Sequence, residues 1–323
     1  MGFYKLLDWI SPEKLVPFRL FCNKSYGAIE YIEEHFESLK NEEGFWFWIS
    51  RNPNAIHILL KNPNKINEES LYWNPNCMDI LLFQPKWIWN MHWIDFSRYT
   101  KSMNLLEKYF ERIKWDCLCT NPHAIYLIEK YPERIEWSSL SHNPNAIHIL
   151  EQNHDKIDFY CLKVNKKTSY LAENFPDKIK DLNWKWICSC SNDIDFIKKY
   201  PQFILWDELS LNEHNDAVEL LEANIDKINW KNLSKNKNPK ALKLLEENIH
   251  LLDDWEELSF NPVAIDILKK YPNKIEWYAL SMNESIFELD YQYIKKHNEA
   301  LHKELIEFFW NPMRLHKNGY FEI

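Results

Sequence analysis

Seven cysteines, twelve histidines and several paired carboxylates are the side chains with which this 323-residue chain could do chemistry. Two Cys-x-Cys pairs, Cys117/Cys119 and Cys188/Cys190, resemble half of a zinc site, which needs four soft ligands around one ion. Their placement argues otherwise. Cys119 and Cys188 hold the same station of an internal repeat three units apart, and Cys117 and Cys161 are two units apart. At about 8–10 Å per packed helix layer, such sulfurs cannot converge on one ion. They read as small core residues, and their odd number speaks against a disulfide framework. His142, His148 and His154 share one unit but lack a His-x-x-x-His spacing. Asp253-Asp254 and Glu256-Glu257 flank Trp255. A carboxylate acid/base pair would need a cleft, so these read as a solvated turn. With only 4 Gly there is no phosphate-cradling loop, and no nucleophile elbow is present. No catalytic residue, metal or cofactor is expected, and the chain is not expected to be an enzyme.

The elements that position these residues form a repeat. An aromatic opens each unit at Trp93, Trp115, Trp137, Phe159, Trp184, Trp206, Trp230, Trp255 and Trp277. Most steps are 22 residues, and three are 24 or 25. The clearest unit starts at Trp137 and runs through Leu140-Ser141, Asn143-Pro144, Ala146-Ile147, Ile149-Leu150 and Lys156-Ile157. Upstream, Trp46 and Leu71-Tyr72-Trp73-Asn74-Pro75 carry the same frame, giving about ten units between residues 46 and 277. Asn-Pro predicts a helix start, with Asn as N-cap and Pro in the first turn. The Ala-Ile and Ile-Leu pairs supply one apolar face at helical spacing. A second Pro ends the helix at Tyr131-Pro132, Tyr200-Pro201 and Tyr271-Pro272. The piece from Trp137 to Ser141 predicts a short α or 3₁₀ turn. Helices this short are marginal alone, so each unit must bury its Trp, Leu and Ile against its neighbours.

The expected fold is therefore all-α: a single elongated α-solenoid of about ten 22–25-residue two-helix repeats. Residues 1–45 are expected as an N-terminal cap or divergent repeat, 46–277 as the array, and 278–323 as a helical C-terminal cap. Trp87, Trp89 and Trp93 crowd the least regular segment, 84–104, and residues 163–168 lose the Leu-Ser-x-Asn-Pro frame. Asp290 to Phe309 reads as a longer amphipathic helix. The net charge of −9 disfavours a nucleic-acid surface. No apolar run approaches the ~18 residues of a membrane span, and the N-terminus lacks a signal-peptide pattern. Gly2 invites myristoylation, but Leu6 stands where Ser or Thr is wanted. A soluble intracellular chain is expected.

The unit Leu140-Ser141-His142-Asn143-Pro144-Asn145-Ala146-Ile147-His148-Ile149-Leu150-Glu151 resembles the tandem Asn-Pro-Asn-Ala-Ile repeats of uncharacterised proteins from giant DNA viruses of the mimivirus type. The resemblance covers roughly residues 18–280, and Phe309-Trp310-Asn311-Pro312-Met313-Arg314-Leu315 resembles the tail of such proteins. It implies a viral protein in the host cytoplasm or the virion, with no known activity. A more distant similarity, resting on Leu-Ser-x-Asn-Pro, is to leucine-rich-variant repeats.

Three functions fit such an array. The first is a non-catalytic scaffold or adaptor that binds proteins. The second is a structural or assembly component of a virion or viral factory. The third, disfavoured by acidity, is a nucleic-acid reader with one contact per repeat. One station of the second helix changes chemistry from unit to unit: His57, Asp79, Asn104, Tyr126, His148, Tyr170, Asp195, Glu219, Lys243 and Asp266. A solvated position would vary too. The run Tyr126, His148, Tyr170 is the candidate partner-binding stripe, because Tyr offers interface area with few rotors and a polar tip.

Overall fold

A computed structural model describes residues 3–71, 73–77, 80, 93–101, 103–162 and 169–309. Gly2, Asp79, Trp87, Trp89, residues 163–168 and the Asn311-Pro312 segment lie outside the described residues. The fold is all-α, with one two-stranded ribbon among the described residues. No described helix is long and apolar enough to cross a membrane.

The unit beginning at Trp137 shows how the sequence builds each layer. A short helix, Trp137–Ser141, buries Leu140 and Ser141. A second helix, Ile147–Glu151, buries Ile149 and Leu150. A 3₁₀ turn, His154–Lys156, then leads to an extended Ile157. The same succession recurs at Trp115–Thr120, Ile125–Lys130 and Pro132–Arg134, and at Trp206–Leu209, Asn215–Glu222 and Ile225–Lys227. In the units that carry Asn-Pro after the first helix, the residue before proline is pushed out of the helical region, which ends the helix. Asn52, Asn121 and Asn261 accordingly sit at ψ 120°, 116° and 116°. The second helix stops at Tyr131, Tyr200 or Tyr271, where the next residue is again proline. Where Asn takes that place, its amide caps the helix: Asn153 donates to the Ile149 carbonyl at 2.8 Å and Asn224 to the Leu220 carbonyl at 2.9 Å.

At Asn238-Pro239 and Asn261-Pro262 the Asn side chain caps the turn that follows, accepting from the Lys240 and Val263 N–H groups, as expected; at Asn143 it does not start the helix. The helix expected from Pro144 begins only at Ile147. The Asn143 side-chain oxygen accepts from the Asn145 N–H at 3.0 Å, which makes a turn. Its amide nitrogen points into the preceding unit and donates to the carbonyls of Cys119 and Asn121, both at 2.9 Å. Asn52, Asn74, Asn121, Asn212, Asn236, Asn261 and Asn283 make the same pair of bonds to the unit before them. Each is buried. Three of the four hydrogen-bonding sites of each amide are thereby used, so these polar groups carry little desolvation penalty.

A second ladder runs beside it. The Ser141 hydroxyl accepts from the Asp158 N–H at 3.1 Å, and Ser50, Ser97, Ser210 and Ser259 accept equivalently from Asn67, Lys114, Asn229 and Glu276. Cys119 and Cys188 hold this station in their units and accept through sulfur from Glu136 and Leu205, both at 3.4 Å.

The chain ends do not cap an open array. Strand β1 (Tyr4–Leu6) pairs antiparallel with β2 (Phe287–Leu289), Tyr4 opposite Leu289 and Leu6 opposite Phe287. The 3₁₀ turn Pro12–Lys14 and the helix Pro17–Leu20 then complete the unit that Trp277 begins. Lys14 Nζ lies 4.7 Å from the Trp277 ring centroid, as Lys156 lies 4.5 Å from Trp137 and Lys227 4.6 Å from Trp206. The Val16 N–H donates to the Ser281 hydroxyl at 2.8 Å, continuing the serine ladder. Asn23 donates to the carbonyls of Ser281 and Asn283 at 3.3 and 2.9 Å, continuing the asparagine ladder. Arg19 stacks over Tyr278 with its guanidinium carbon 3.5 Å from the ring centroid. The solenoid thus closes on itself. The expectation of an elongated array is corrected accordingly, and of the two readings of residues 1–45, cap or divergent repeat, their contacts are those of a repeat. The open face of the last unit is covered by the first, so neither end has to serve as a lid.

The aromatic ladder also departs from its expected burial. Trp93, Trp184 and Trp255 are buried, whereas Trp137 and Trp206 are only half-buried. Their outer faces are shielded by Lys156 and Lys227, a cation–π contact that leaves the rings partly wet.

Candidate interaction surface

The variable station of the second helix is exposed in every described unit. Helical spacing explains this: Ile149 and Leu150 are buried and Ile147 half-buried, which leaves His148 on the outer side of the helix. Tyr126 is 62 % exposed and Tyr170 44 %. His148 is exposed as well, so the three stripe residues occupy one kind of site in their units.

Sequence reading missed that this station is wired to neighbouring units. His148 Nε2 lies 2.7 Å from Glu129 Oε1 and His57 Nε2 lies 3.1 Å from Glu33 Oε1, both in the unit before, while Glu219 is reached at 3.0 Å by Lys240 of the unit after. A parallel set joins the ends of successive second helices: Lys61 with Glu33, Lys130 with Glu107, Lys199 with Glu173, and Lys270 with Glu246. The hydrogen bonds to these carboxylates raise the pKa values of Lys130, Lys199 and Lys270. Water screens exposed pairs of this kind, so each adds little to stability. They fix side-chain positions along the face more than they hold the fold together. The signal was in the sequence, as a Lys or His 19 to 28 residues after a Glu of the preceding second helix.

The residues that could do chemistry are kept apart. Cys77, Cys117, Cys119 and Cys188 are buried, Cys22 and Cys161 are half-buried, and Cys190 is exposed, so the core reading fails for Cys190. Burial pushes the Cys119 and Cys161 thiols up to about 11 and raises Cys188, which holds these sulfurs protonated at neutral pH. Asp254 pairs with Lys231 at 2.6 Å and Glu257 with Lys235 at 2.9 Å, so the acidic turn is matched by lysines of the preceding unit. The Lys231 hydrogen bond holds Asp254 below the usual carboxylate range. His154, Asp155, Asp158 and Lys178 line an open groove of about 690 Å³. Among the described residues, no three His, Cys, Asp or Glu side chains are placed to hold a metal ion.

Compared with protein-family models, curated proteins and solved structures, the chain matches none.

Proposed function

We propose that this protein is a non-catalytic scaffold or adaptor whose second-helix face binds a protein partner, with Tyr126, His148 and Tyr170 at the centre of contact. The observation that supports this reading is the exposure of two tyrosines and a histidine at equivalent stations of a regular, hydrogen-bonded array. A rigid surface pays little ordering entropy on binding, and Tyr is enriched at interface centres. The setting we propose is a cell infected by a giant DNA virus, on the strength of the Asn-Pro-Asn-Ala-Ile frame.

The test is a triple variant, Tyr126→Ala with His148→Ala and Tyr170→Ala. None of the three is buried, so the variant should keep the circular dichroism spectrum and melting curve of the parent. Affinity purification from infected cells, read by mass spectrometry, should then lose the parent's main partners. Recovery of the same partners at the same yield sinks the reading.

A further inference from the structure

The C-terminal helix, Tyr291–Phe309, is the longest element of the molecule. It starts where Asp290 accepts the Tyr293 N–H at 2.9 Å, and its first turns rest on Phe3 through Tyr293 and His297. Because the N-terminal segment already completes the last unit, the helix is not needed to cover the end of the array. Much of its own apolar face is left in water, with Ile294 half-buried. Tyr291 is 73 % exposed, Leu301 47 % and Leu305 45 %.

Those residues fall on a heptad. Tyr291, Asn298 and Leu305 take the a positions, and Ile294 and Leu301 take the d positions. The contacts with Phe3 come from Tyr293 and His297 at c and g, about 110° round the helix from the a/d seam. We propose that this helix pairs with the same helix of a second copy of the chain, as a parallel, in-register two-stranded coiled coil.

Three observations select that occupant and that orientation. First, a single Asn at an a position is the device by which a coiled coil chooses two strands in register. In a parallel pair Asn298 meets its own copy, and the two amides can bond to each other. In an antiparallel pair a faces d, and the amide would be buried against an apolar Leu. Second, parallel pairing sets a g residue of one helix beside the e residue five positions later in its partner. Asp290 at g and Lys295 at e carry opposite charges. Lys295 is exposed, held only by a 4.0 Å contact to Glu299. Third, the helix has little to stabilise it alone. Its internal pairs, Lys295 with Glu299 and Lys303 with Glu307, run Lys before Glu, the weaker direction along a helix. Burial of the a/d seam supplies what those pairs do not.

The experiment uses the full chain. Light scattering after size exclusion, over a concentration series, should show a monomer–dimer equilibrium. Leu301→Asp with Leu305→Asp should abolish the dimer and leave the melting of the array unchanged. As an independent reading, Asn298→Cys in a Cys190→Ser background should form a disulfide-linked dimer under mild oxidation. Lys303→Cys, on the outer face, should not. A parent that stays monomeric throughout the series overturns the proposal, as does a dimer that survives both Asp substitutions. A dimer of the Asn298→Cys variant whose introduced sulfurs fail to cross-link overturns the parallel register.

Discussion

The side-chain amide of Asn23 donates to the backbone carbonyl of Asn283 at 2.9 Å, across 260 residues of sequence. Nothing distinguishes this bond from the one that Asn143 makes to Asn121, 22 residues away. The array treats its two ends as neighbouring units, and closure is continuous with the repeat.

Closure can be measured at that residue. Asn23→Ala leaves the carbonyls of Ser281 and Asn283 without the partner they have now, at about 1–3 kcal/mol per buried group. Unfolding by urea should show a loss of roughly 2–4 kcal/mol. Small-angle scattering under native conditions should show a larger radius of gyration in the variant as the seam opens. An unchanged denaturation midpoint would mean that the ladder stops short of the seam.

The same chemistry predicts a contrast within one unit. Asn143 and Asn145 are two residues apart, and both donate to the preceding unit. Asn143 is 2 % exposed, while Asn145 lies at the surface and bonds the Pro122 carbonyl where water can replace it. Asn143→Ala should therefore cost roughly 2–4 kcal/mol and Asn145→Ala less than about 1. Equal losses would show that the turn, rather than the bonds between units, carries the effect.

Much of this molecule was legible in its sequence. The 22-residue frame gave the layers, and Tyr131-Pro132 and its equivalents gave the helix ends. The helix expected over Asp290 to Phe309 is present. The capping rule held at Asn238 and Asn261 and failed at Asn121 and Asn143, where the helix starts later. An Asn before Pro reads as an N-cap, because capping is the strongest local use of that pair. Its buried recurrence at residues 52, 74, 121 and 143 was the sign of a contact between units. Closure was written in Pro12-Glu13-Lys14-Leu15, Leu20 and Asn23, which match Pro132-Glu133-Arg134-Ile135, Leu140 and Asn143. With Pro17 in place of the Trp, the match is easily passed over. The half-buried Trp137 was missed because the Lys that shields it lies 19 residues on. The exposure of the stripe followed from helical spacing, but its links to Glu129 and Glu33 depend on how units stack, which no single unit encodes.

Cys119 stands where other units place Ser, and accepts the Glu136 N–H through sulfur. Cys119→Ser should be close to neutral, whereas Cys119→Val leaves that N–H unpaired and should cost about 1–3 kcal/mol. The pH dependence has a definite sign. Burial raises the thiol from 9.0 to about 11 in the folded protein, so the folded state favours the protonated form. The associated stability is present below pH 9 and is lost as pH climbs through about 11. Alkaline unfolding should therefore set in at higher pH in Cys119→Ser than in the parent. In native protein at neutral pH, iodoacetamide should label the exposed Cys190 before Cys119 or Cys188. Rapid labelling of Cys119 would contradict its burial.

The seam can also be opened by sterics alone. Gly27 lies in the helix Tyr26–Glu34, packed under β2. A Cβ at this position would sit 2.3 Å from Phe287 Cβ and 2.7 Å from Phe287 Cγ. No rotamer moves a Cβ, because it is fixed to the backbone, so relief requires the helix and β2 to separate. The backbone of Gly27 is itself ordinary, with φ outside the left-handed region, so any loss in Gly27→Ala measures packing and not conformation. We expect a loss of about 1–3 kcal/mol. Hydrogen exchange should locate it. The Leu7 N–H, bonded to the Ile286 carbonyl, and the Asp290 N–H, bonded to the Phe3 carbonyl, should exchange faster. The Leu140 N–H, bonded within its own unit to the Glu136 carbonyl, should keep the protection it has in the parent. A Gly27→Ala protein with parental stability and unchanged exchange at Leu7 would show that the helix and β2 do not meet as described. The closure of the array would then have to be abandoned with that contact.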